Sequence, residues 1–186
     1  MLLFANLYFV WNDIFTNYVN MKGIIYFSAI VLVFLTSCGT EVKKNYVIKD
    51  IDLTAEGPLF DGPNTLQANH TLDLTSIDPE LTADKISSVK LVKAQINTSD
   101  SVGFDRIRNM VFQITAADAK LQQLALLNPV EKGVKSVTLN PSVEADIKDL
   151  FRQKDLTLIL DADLEGDLED NLEYTGTFEF EVEYTK

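Results

Sequence analysis

Residues 173 to 184 read Glu173-Tyr174-Thr175-Gly176-Thr177-Phe178-Glu179-Phe180-Glu181-Val182-Glu183-Tyr184, and this segment decides the fold class. Aromatic and aliphatic side chains alternate along it with threonine and glutamate side chains. Because successive side chains of a β-strand point to opposite faces of a sheet, the alternation predicts a strand with one buried face and one solvated face. The chain is therefore expected to contain a sheet that covers a core on one side.

Seven further segments have a strand-like pattern. Three of them alternate clearly, at 66–74, 110–116 and 156–164, and four are shorter, at 47–53, 89–96, 121–127 and 134–139. Glycine and proline separate them, as in Gly57-Pro58, Asp61-Gly62-Pro63, Asn128-Pro129 and Lys132-Gly133. About eight strands with short connections predict an all-β domain, an antiparallel β-sandwich of the immunoglobulin type or a similar one.

One short helix is predicted before the seventh strand. Asn140 or Ser142 can cap its N-terminus, and Pro141 is tolerated in a first turn. An apolar stripe with the spacing of one helix face follows. The stripe consists of Val143, Ile147, Leu150 and Phe151. A weaker helical turn is expected around 78–85.

The charge of the chain restricts its partners. It carries 16 basic and 28 acidic side chains, which give a formal net charge of −12. A surface of this sign repels phosphate backbones and anionic lipid headgroups, so we expect no nucleic-acid binding. Cys38 is the only cysteine, which excludes a disulfide within the chain. Because the acidic surface repels anionic lipid headgroups, attachment to a membrane would need a lipid or an apolar segment.

The amino-terminal part has the organisation of an export signal. Met21-Lys22-Gly23 forms a short basic region, and residues 24–35 form an apolar run that is too short to span a bilayer comfortably. The run ends in Leu35-Thr36-Ser37-Cys38, which places an aliphatic residue and two small residues before the cysteine.

This pattern resembles the lipobox of bacterial lipoproteins, and the leader is similar to those of the Bacteroidetes group. The resemblance implies cleavage between Ser37 and Cys38 and transfer of diacylglycerol to the cysteine, whose fatty acids, palmitate among them, anchor the protein in a membrane. Together with the strand pattern and the composition of the first twenty residues, it predicts four segments. They are a misassigned start or extended leader at 1–20, a signal peptide at 21–37, the lipidated cysteine and a short tether at 38–44, and the β-sandwich domain at 45–186.

The residues after the cysteine bear on the location within the envelope. Gly39, rather than an aspartate, resembles the sorting pattern of lipoproteins sent to the outer membrane. Surface-displayed members of the Bacteroidetes group usually carry an acidic cluster here, whereas residues 39–44 contain one acid and two lysines. We therefore expect an outer-membrane lipoprotein that faces the periplasm, with surface display as the alternative.

Candidate metal ligands are few. His70 is the only histidine, and its pattern places it among the apolar positions of a strand, as a packed or edge residue. Residues 161–170 have the spacing of an EF-hand calcium loop, although Leu172 replaces the glutamate that such a loop needs at its end. An acidic hairpin turn is the simpler interpretation. A cation site here would use Asp161, Asp163, Glu165 and Asp167.

Three loop residues are candidates for contact or modification. Phe60 and Phe104 are candidates for exposed ligand contacts, although an aromatic residue in such a loop more often anchors the loop. Asp100-Ser101-Val102 resembles the O-glycosylation motif of Bacteroidetes envelope proteins, which would make Ser101 the acceptor.

The glutamates of the last strand define one further surface. Glu179, Glu181 and Glu183 lie on its polar face. They form a solvated face, a cation-binding surface, or a docking surface with Lys90, Lys93 or Lys135 opposite.

These observations favour a membrane-anchored envelope lipoprotein whose β-domain binds or scaffolds another component, an envelope protein or a glycan, without catalysis and without a cofactor. Two alternatives remain open. One is a glycan hydrolase that uses two carboxylates, which no motif marks in this chain. The other is an accessory module that binds calcium or carbohydrate.

Overall fold

The computed structural model describes residues 39–100, 103–117 and 119–186, and within them it contains eight strands. The strands are β1 (Glu41–Ala55), β2 (Gly62–Thr71), β3 (Ile86–Asn97), β4 (Ile107–Thr115), β5 (Gln122–Leu127), β6 (Ser136–Pro141), β7 (Asp155–Leu164) and β8 (Leu172–Thr185). A short helix, α1, spans Lys148–Phe151, and two 3-10 turns span Leu74–Ser76 and Ala83–Lys85. Each of the eight predicted segments forms one of these strands, which confirms the all-β prediction.

The strands close into a barrel in the order β1-β2-β7-β4-β5-β6-β3-β8. All of the pairings are antiparallel. Two four-stranded sheets, β1-β8-β3-β6 and β2-β7-β4-β5, therefore meet along two seams, which is the order of a jelly roll.

The predicted immunoglobulin-type sandwich is wrong because these two seams are bonded. Thr54 pairs with Gln67 between β1 and β2, and residues 125–126 pair with residues 140–141 between β5 and β6. Inward and outward side chains alternate in the same way in a sandwich and in a barrel. The alternation that predicted the strands therefore carries no information about closure.

The inward face of β8 forms the centre of the core. Phe178 is fully buried, and its ring stacks on Phe112 with 4.0 Å between centroids and an 11° interplanar angle. Gly176 makes room for this ring, since a Cβ atom there would lie 2.6 Å from Phe178 Cε2 and 3.3 Å from Ile51 Cγ2. The glycine in the strand thus permits a close approach that a side chain would block.

The predicted helix is shorter than its apolar stripe suggested. Val143 is 84 % exposed, and α1 begins only at Lys148. The preceding residues bond to strands instead, since Ser142 N–H donates to Leu124 O and Ile147 N–H donates to Val89 O. Ile147, Leu150 and Phe151 are buried, so these three members of the stripe do pack against the core.

The first strand also begins earlier than predicted. Residues 41–44, which were assigned to the tether, belong to β1 and pair with residues 182–185 of β8. This leaves Gly39 and Thr40 between Cys38 and the strand.

The two ends of the barrel differ in charge. We call one the helix end, which holds the start of β1, the end of β8 and the connections 72–85, 116–121 and 142–154. The other, the acidic end, holds the connections 56–61, 98–106, 128–135 and 165–171. These four connections carry nine acidic and three basic side chains.

Candidate functional site

Two outward-facing grooves lie on either side of β1 near the acidic end. The first, which we call the carboxylate groove, has a volume of about 540 Å³ and is lined by Asp52, Thr54, Asn97, Thr98, Ser99, Glu173, Tyr174 and Thr175. The second, which we call the amide groove, has a volume of about 640 Å³ and is lined by Thr54, Ala55, Glu56, Leu59, Thr65, Gln67, Ala68, Asn69 and Thr157. Thr54 contributes to both.

Strand register builds the floor of the carboxylate groove. Thr175 of β8 is paired with Asp52 of β1 on one side and with Asn97 of β3 on the other, so the three residues form a row across three strands. Thr54 and Glu173 form the adjacent row. Facing residues on neighbouring strands lie within about 5.5 Å of each other at the Cβ atoms, so carboxylate, hydroxyl and amide groups are close together here.

A fixed loop forms the wall of this groove. Thr98 N–H donates to Lys135 O at 3.0 Å, and Asp100 N–H donates to Thr98 Oγ1 at 3.1 Å. Thr98 is itself buried, and Ser99 is exposed. The wall is therefore held in place before any ligand arrives.

Tyr174 belongs to the groove lining but is almost completely buried. Its relative exposure is 3 %, and its ring lies 5.0 Å from that of Phe104. Its hydroxyl has no hydrogen-bond partner among the described residues. Burial raises the pKa of Tyr174, and the charge of Asp100 raises it further, so the phenol stays protonated. The hydroxyl is therefore a hydrogen-bond donor without an acceptor in the part of the chain that the structure describes.

The two carboxylates of the groove differ from Asp155 and Asp161, which also face outward from the barrel. In the described part of the chain, Asp52 and Glu173 form no side-chain hydrogen bond or ion pair. By contrast, Asp155 accepts a hydrogen bond from Thr71 Oγ1 at 2.7 Å, and Asp161 accepts one from Thr65 Oγ1 at 2.7 Å. The groove carboxylates thus keep their full capacity to accept hydrogen bonds.

The amide groove follows the seam between β1 and β2. The two strands separate beyond the Thr54–Gln67 pair, which opens the surface there. Asn69 Oδ1 accepts a hydrogen bond from Thr157 Oγ1 at 3.0 Å, so part of the polar lining is already satisfied.

The four acids of the EF-hand-like segment are not brought to a common point. Asp161 and Asp163 lie on β7, where Gln113 bonds to the first and Arg108 and Asn109 bond to the second. Glu165 pairs with a lysine, Lys132 Nζ, at 2.9 Å, and Asp167 accepts the N–H of Asp61 at 2.9 Å. Among the described residues, no three His, Cys, Asp or Glu side chains form a group that could hold a metal ion.

Phe60 and Phe104 have opposite environments. Phe60 is 66 % exposed, and its loop is braced by Asn64 Nδ2, which donates to Phe60 O at 2.7 Å. Phe104 is fully buried against Tyr174, so it is a loop anchor, and its candidacy as an exposed ligand contact is wrong. Its loop folds over the end of the barrel and inserts the ring into the core.

The neighbour of Phe60 holds two loops together. Asp61 accepts hydrogen bonds from Gly166 N–H at 3.1 Å and from Arg108 Nη2 at 2.7 Å. The Gly166 amide and the Arg108 guanidinium lower the pKa of Asp61.

The glutamate ladder of β8 lies in the middle of a sheet, since β8 pairs with both β1 and β3. Lys43 pairs with Glu183 and Glu181, and Asn45 Nδ2 donates to Glu179 Oε1 at 2.6 Å. On the other side, Lys90 is in register with Glu181, and Lys93 is in register with Glu179. Lysines from both neighbouring strands thus offset the charge of the ladder.

His70 bridges the seam between β1 and β2. Tyr46 OH lies 2.8 Å from His70 Nε2, and the two rings are 6.1 Å apart. Burial lowers the pKa of His70, which favours the neutral ring as acceptor of the tyrosine proton.

Sequence reasoning missed a cluster at the helix end, centred on Asp78. Asp78 is 3 % exposed and accepts hydrogen bonds from Tyr184 OH at 2.8 Å, Lys186 Nζ at 2.8 Å and Lys44 Nζ at 3.1 Å. The bond from Lys186 and the N–H of Glu80 hold the pKa of Asp78 far below its usual range. The available signal was the break in alternation at Lys44, since the first part of β1 otherwise places apolar side chains at even positions, Val42, Tyr46 and Ile48.

Several predicted residues lie outside the described part of the chain. They are Leu35, Thr36, Ser37, Cys38 and Ser101. Of the helices that the structure does describe, none has the length and apolar character needed to cross a membrane.

Comparisons with known proteins give no family. No protein-family model matches the chain, and no curated protein does. A structure of the infectious bursal disease virus VP2 subviral particle is similar over 77 % of this chain, with 14 % identity and a TM-score of 0.40. This chain spans about a third of its length, 33 %.

A structure of Mud crab tombus-like virus is similar over 81 % of this chain and 83 % of that one, with 10 % identity and a TM-score of 0.36. Both likenesses are too distant to carry an argument about function.

Proposed function

We propose that this protein is a lipid-anchored component of a bacterial cell envelope whose barrel binds a ligand or partner without transforming it. One observation carries the proposal: the sequence Leu35-Thr36-Ser37-Cys38 follows directly on an apolar run and contains the only cysteine of the chain. A diacylated or triacylated cysteine holds a protein on a bilayer because each buried methylene contributes about 0.8 kcal/mol.

The start of β1 supports an orientation for the anchored protein. Gly39 and Thr40 can span at most about 7 Å, and the strand that follows begins at the helix end. A lipid on Cys38 would hold the helix end toward the bilayer. The acidic end, with both grooves nearby, would then face away from the membrane, where a partner can reach it.

Replacement of the cysteine tests the anchor. The variant Cys38→Ala should lose labelling by radioactive palmitate, because the proposed attachment point of the fatty acids is gone. Thr40→Ala, two residues away, should be labelled and retained like the unaltered chain. Palmitate labelling of Cys38→Ala would refute the proposed anchor.

The location at the outer membrane has a separate test. Gly39 and the lack of an acidic cluster after the cysteine favour a position that faces the periplasm. Protease added to intact cells should then leave the barrel uncut until the outer membrane is permeabilised. Cleavage in intact cells would instead establish surface display.

A glycan hydrolase is the second candidate function, and one observation favours it. Asp52 and Glu173 line the same groove, and most glycosidases need only two carboxylates beside the scissile bond. Turnover in a screen of oligosaccharides, abolished by Asp52→Asn or Glu173→Gln alone, would replace the binding function with catalysis. Among the described residues, the calcium alternative has no comparable arrangement in its favour.

A further inference from the structure

We propose that the outer face of the sheet β2-β7-β4-β5 is the contact surface of a dimer, in which two copies of this chain are related by a two-fold axis. This inference goes beyond the proposed function and does not depend on the lipid anchor. The surface, which we call the low-charge face, consists of three rows of outward-facing side chains. The rows are Thr65, Asp161, Val111 and Leu126; Gln67, Ile159, Gln113 and Gln123; and Asn69, Thr157 and Thr115.

The first step is the distribution of charge. Asp161 is the only charged side chain in these three rows, and Thr65 Oγ1 and Gln113 Nε2 both donate to it. Most side chains in three rows on the outer face of the other sheet are charged. Those rows are Lys43, Glu183 and Ser88; Asn45, Glu181 and Lys90; and Val47, Glu179 and Lys93. The two broad faces of the barrel therefore differ sharply in charge.

This difference bears on self-association because the chain has a formal net charge of −12. A net charge far from zero keeps copies of a protein apart, since their surfaces repel each other. Two copies meet the least repulsion where the surface carries the fewest charges. The charge distribution thus favours contact through the low-charge face and disfavours it through the ends of the barrel.

The second step is hydrogen bonding. Gln67 and Gln123 are exposed at the two sides of the low-charge face, and their amides form no hydrogen bond with another described residue. A side-chain amide carries donors and an acceptor, so it can pair with the same group of a second copy. A contact about a two-fold axis needs this property, because the same patch is used by both copies. A surface of like-charged side chains lacks it.

The third step is the apolar centre of the face and its size. Val111 and Ile159 are half-buried on the two central strands, in adjacent rows, and Leu126 is 40 % exposed beside Val111. Four strands, of which β7 has ten residues, give the face an area of at most about 500 Å². Stable complexes bury about 800 Å² on each partner, so we expect a weak dimer.

The test is sedimentation equilibrium of the full-length chain in a density-matched detergent, from micromolar to nearly millimolar concentration. We expect a reversible equilibrium between monomer and dimer that shifts toward the dimer as NaCl is added, because salt screens the repulsion between two acidic copies. A monomer under all of these conditions would overturn the proposal and leave the face to a different kind of partner. A dimer that dissociates in salt would also overturn it, since ion pairs would then hold the copies together.

Charge variants locate the contact. Ile159→Glu brings two like charges together at the centre of the dimer and should weaken association at least about tenfold. Gln123→Glu preserves the shape of an exposed side chain, so it should leave folding intact and weaken association at least about threefold. Gln95→Glu is the matched control, because it makes the same change on the outer face of the other sheet. If Gln123→Glu and Gln95→Glu associate alike, the low-charge face is not the contact.

Cross-linking tests the position of the two-fold axis. In the Cys38→Ala background, Val111→Cys supplies the only thiol, on a central strand of the face. A bifunctional maleimide that spans the roughly 10 Å between packed sheets should produce a covalent dimer. Thr177→Cys, which faces outward from the other sheet, is the control and should remain monomeric. Equal yields from the two variants would refute the contact, whatever the palmitate labelling shows about the anchor.

Discussion

Tyr46 and His70 face each other across a seam where the backbones of β1 and β2 have separated. Their hydrogen bond of 2.8 Å replaces a ladder bond at this point, and Tyr46 also packs edge-on against Phe151 of α1, with centroids 6.0 Å apart. A single side-chain pair therefore links two strands and the helix. Protonation of His70 would turn its acceptor nitrogen into a second donor that faces the tyrosine proton.

This pair makes stability depend on pH in a definite direction. Burial lowers the pKa of His70 in the folded state, whereas an unfolded histidine titrates near pH 6.5. The unfolded state therefore binds the proton first, so stability is full above about pH 6.5 and falls as the pH drops toward the folded pKa. We expect the melting temperature of the native chain to fall over this window, and more steeply than that of His70→Gln. Parallel curves for the two proteins would contradict the prediction.

Single residues also mark the limit of sequence reasoning. Phe60 and Phe104 are both aromatic residues in polar loops, yet one is exposed and the other fully buried. The neighbour that buries Phe104 is Tyr174, far away in the sequence, so no local pattern distinguishes the two. The carboxylate groove is hidden for the same reason, since register between β1, β3 and β8 creates it.

Among the elements, β8 has the strongest alternation and the most central position, with a partner strand on each side. Helix α1 has the weakest local signal in the sequence. The residues predicted to begin it form hydrogen bonds with β3 and β5 instead, so the helix starts later than predicted. A strong period-two pattern predicts a strand whatever its neighbours are. A helical stripe of four residues is decided by tertiary hydrogen bonds, and here only its second half is helical.

The close packing inside β8 predicts the effect of one methyl group. In Gly176→Ala the new Cβ would meet the Phe178 ring and Ile51, and the ring cannot move freely because it stacks on Phe112. We expect a loss of about 1–3 kcal/mol in the free energy of unfolding, measured by urea denaturation. Thr177→Ala, at the next and outward-facing position, is the control and should cost less. Equal losses would show that the packing at Gly176 is not the cause.

At the scale of the whole molecule, the barrel is two well-bonded sheets joined by short seams. β1 pairs with β8 along nearly its full length but with β2 through Thr54 and Gln67. The sequence predicts the number of strands, their succession along the chain and which side chains of each strand face inward, because these depend on local alternation. Which strands meet at the seams depends on a few contacts between distant segments, and the closure of the barrel was therefore not predicted.

The short seam has a measurable consequence. Alternate amides of an antiparallel strand point to opposite neighbours, so β2 should have amides that bond to β7 and amides that face β1. Hydrogen exchange followed by NMR should be slow for the first set and fast for most of the second. Amides of β8, which have partners on both sides, should all be slow away from its ends. Uniform protection along β2 would contradict the described seam.

The pairing of Glu41 with Thr185 places the first and last strands side by side at one end of the barrel. A linker of a few residues could join these two points directly, and the chain could then be cut open in a surface connection such as 128–135 without the loss of a strand pairing. Such a circular permutant would keep all eight strands in place while its new termini emerge at the opposite pole of the molecule. The order in which the strands are synthesised is thus separable from the arrangement that they adopt.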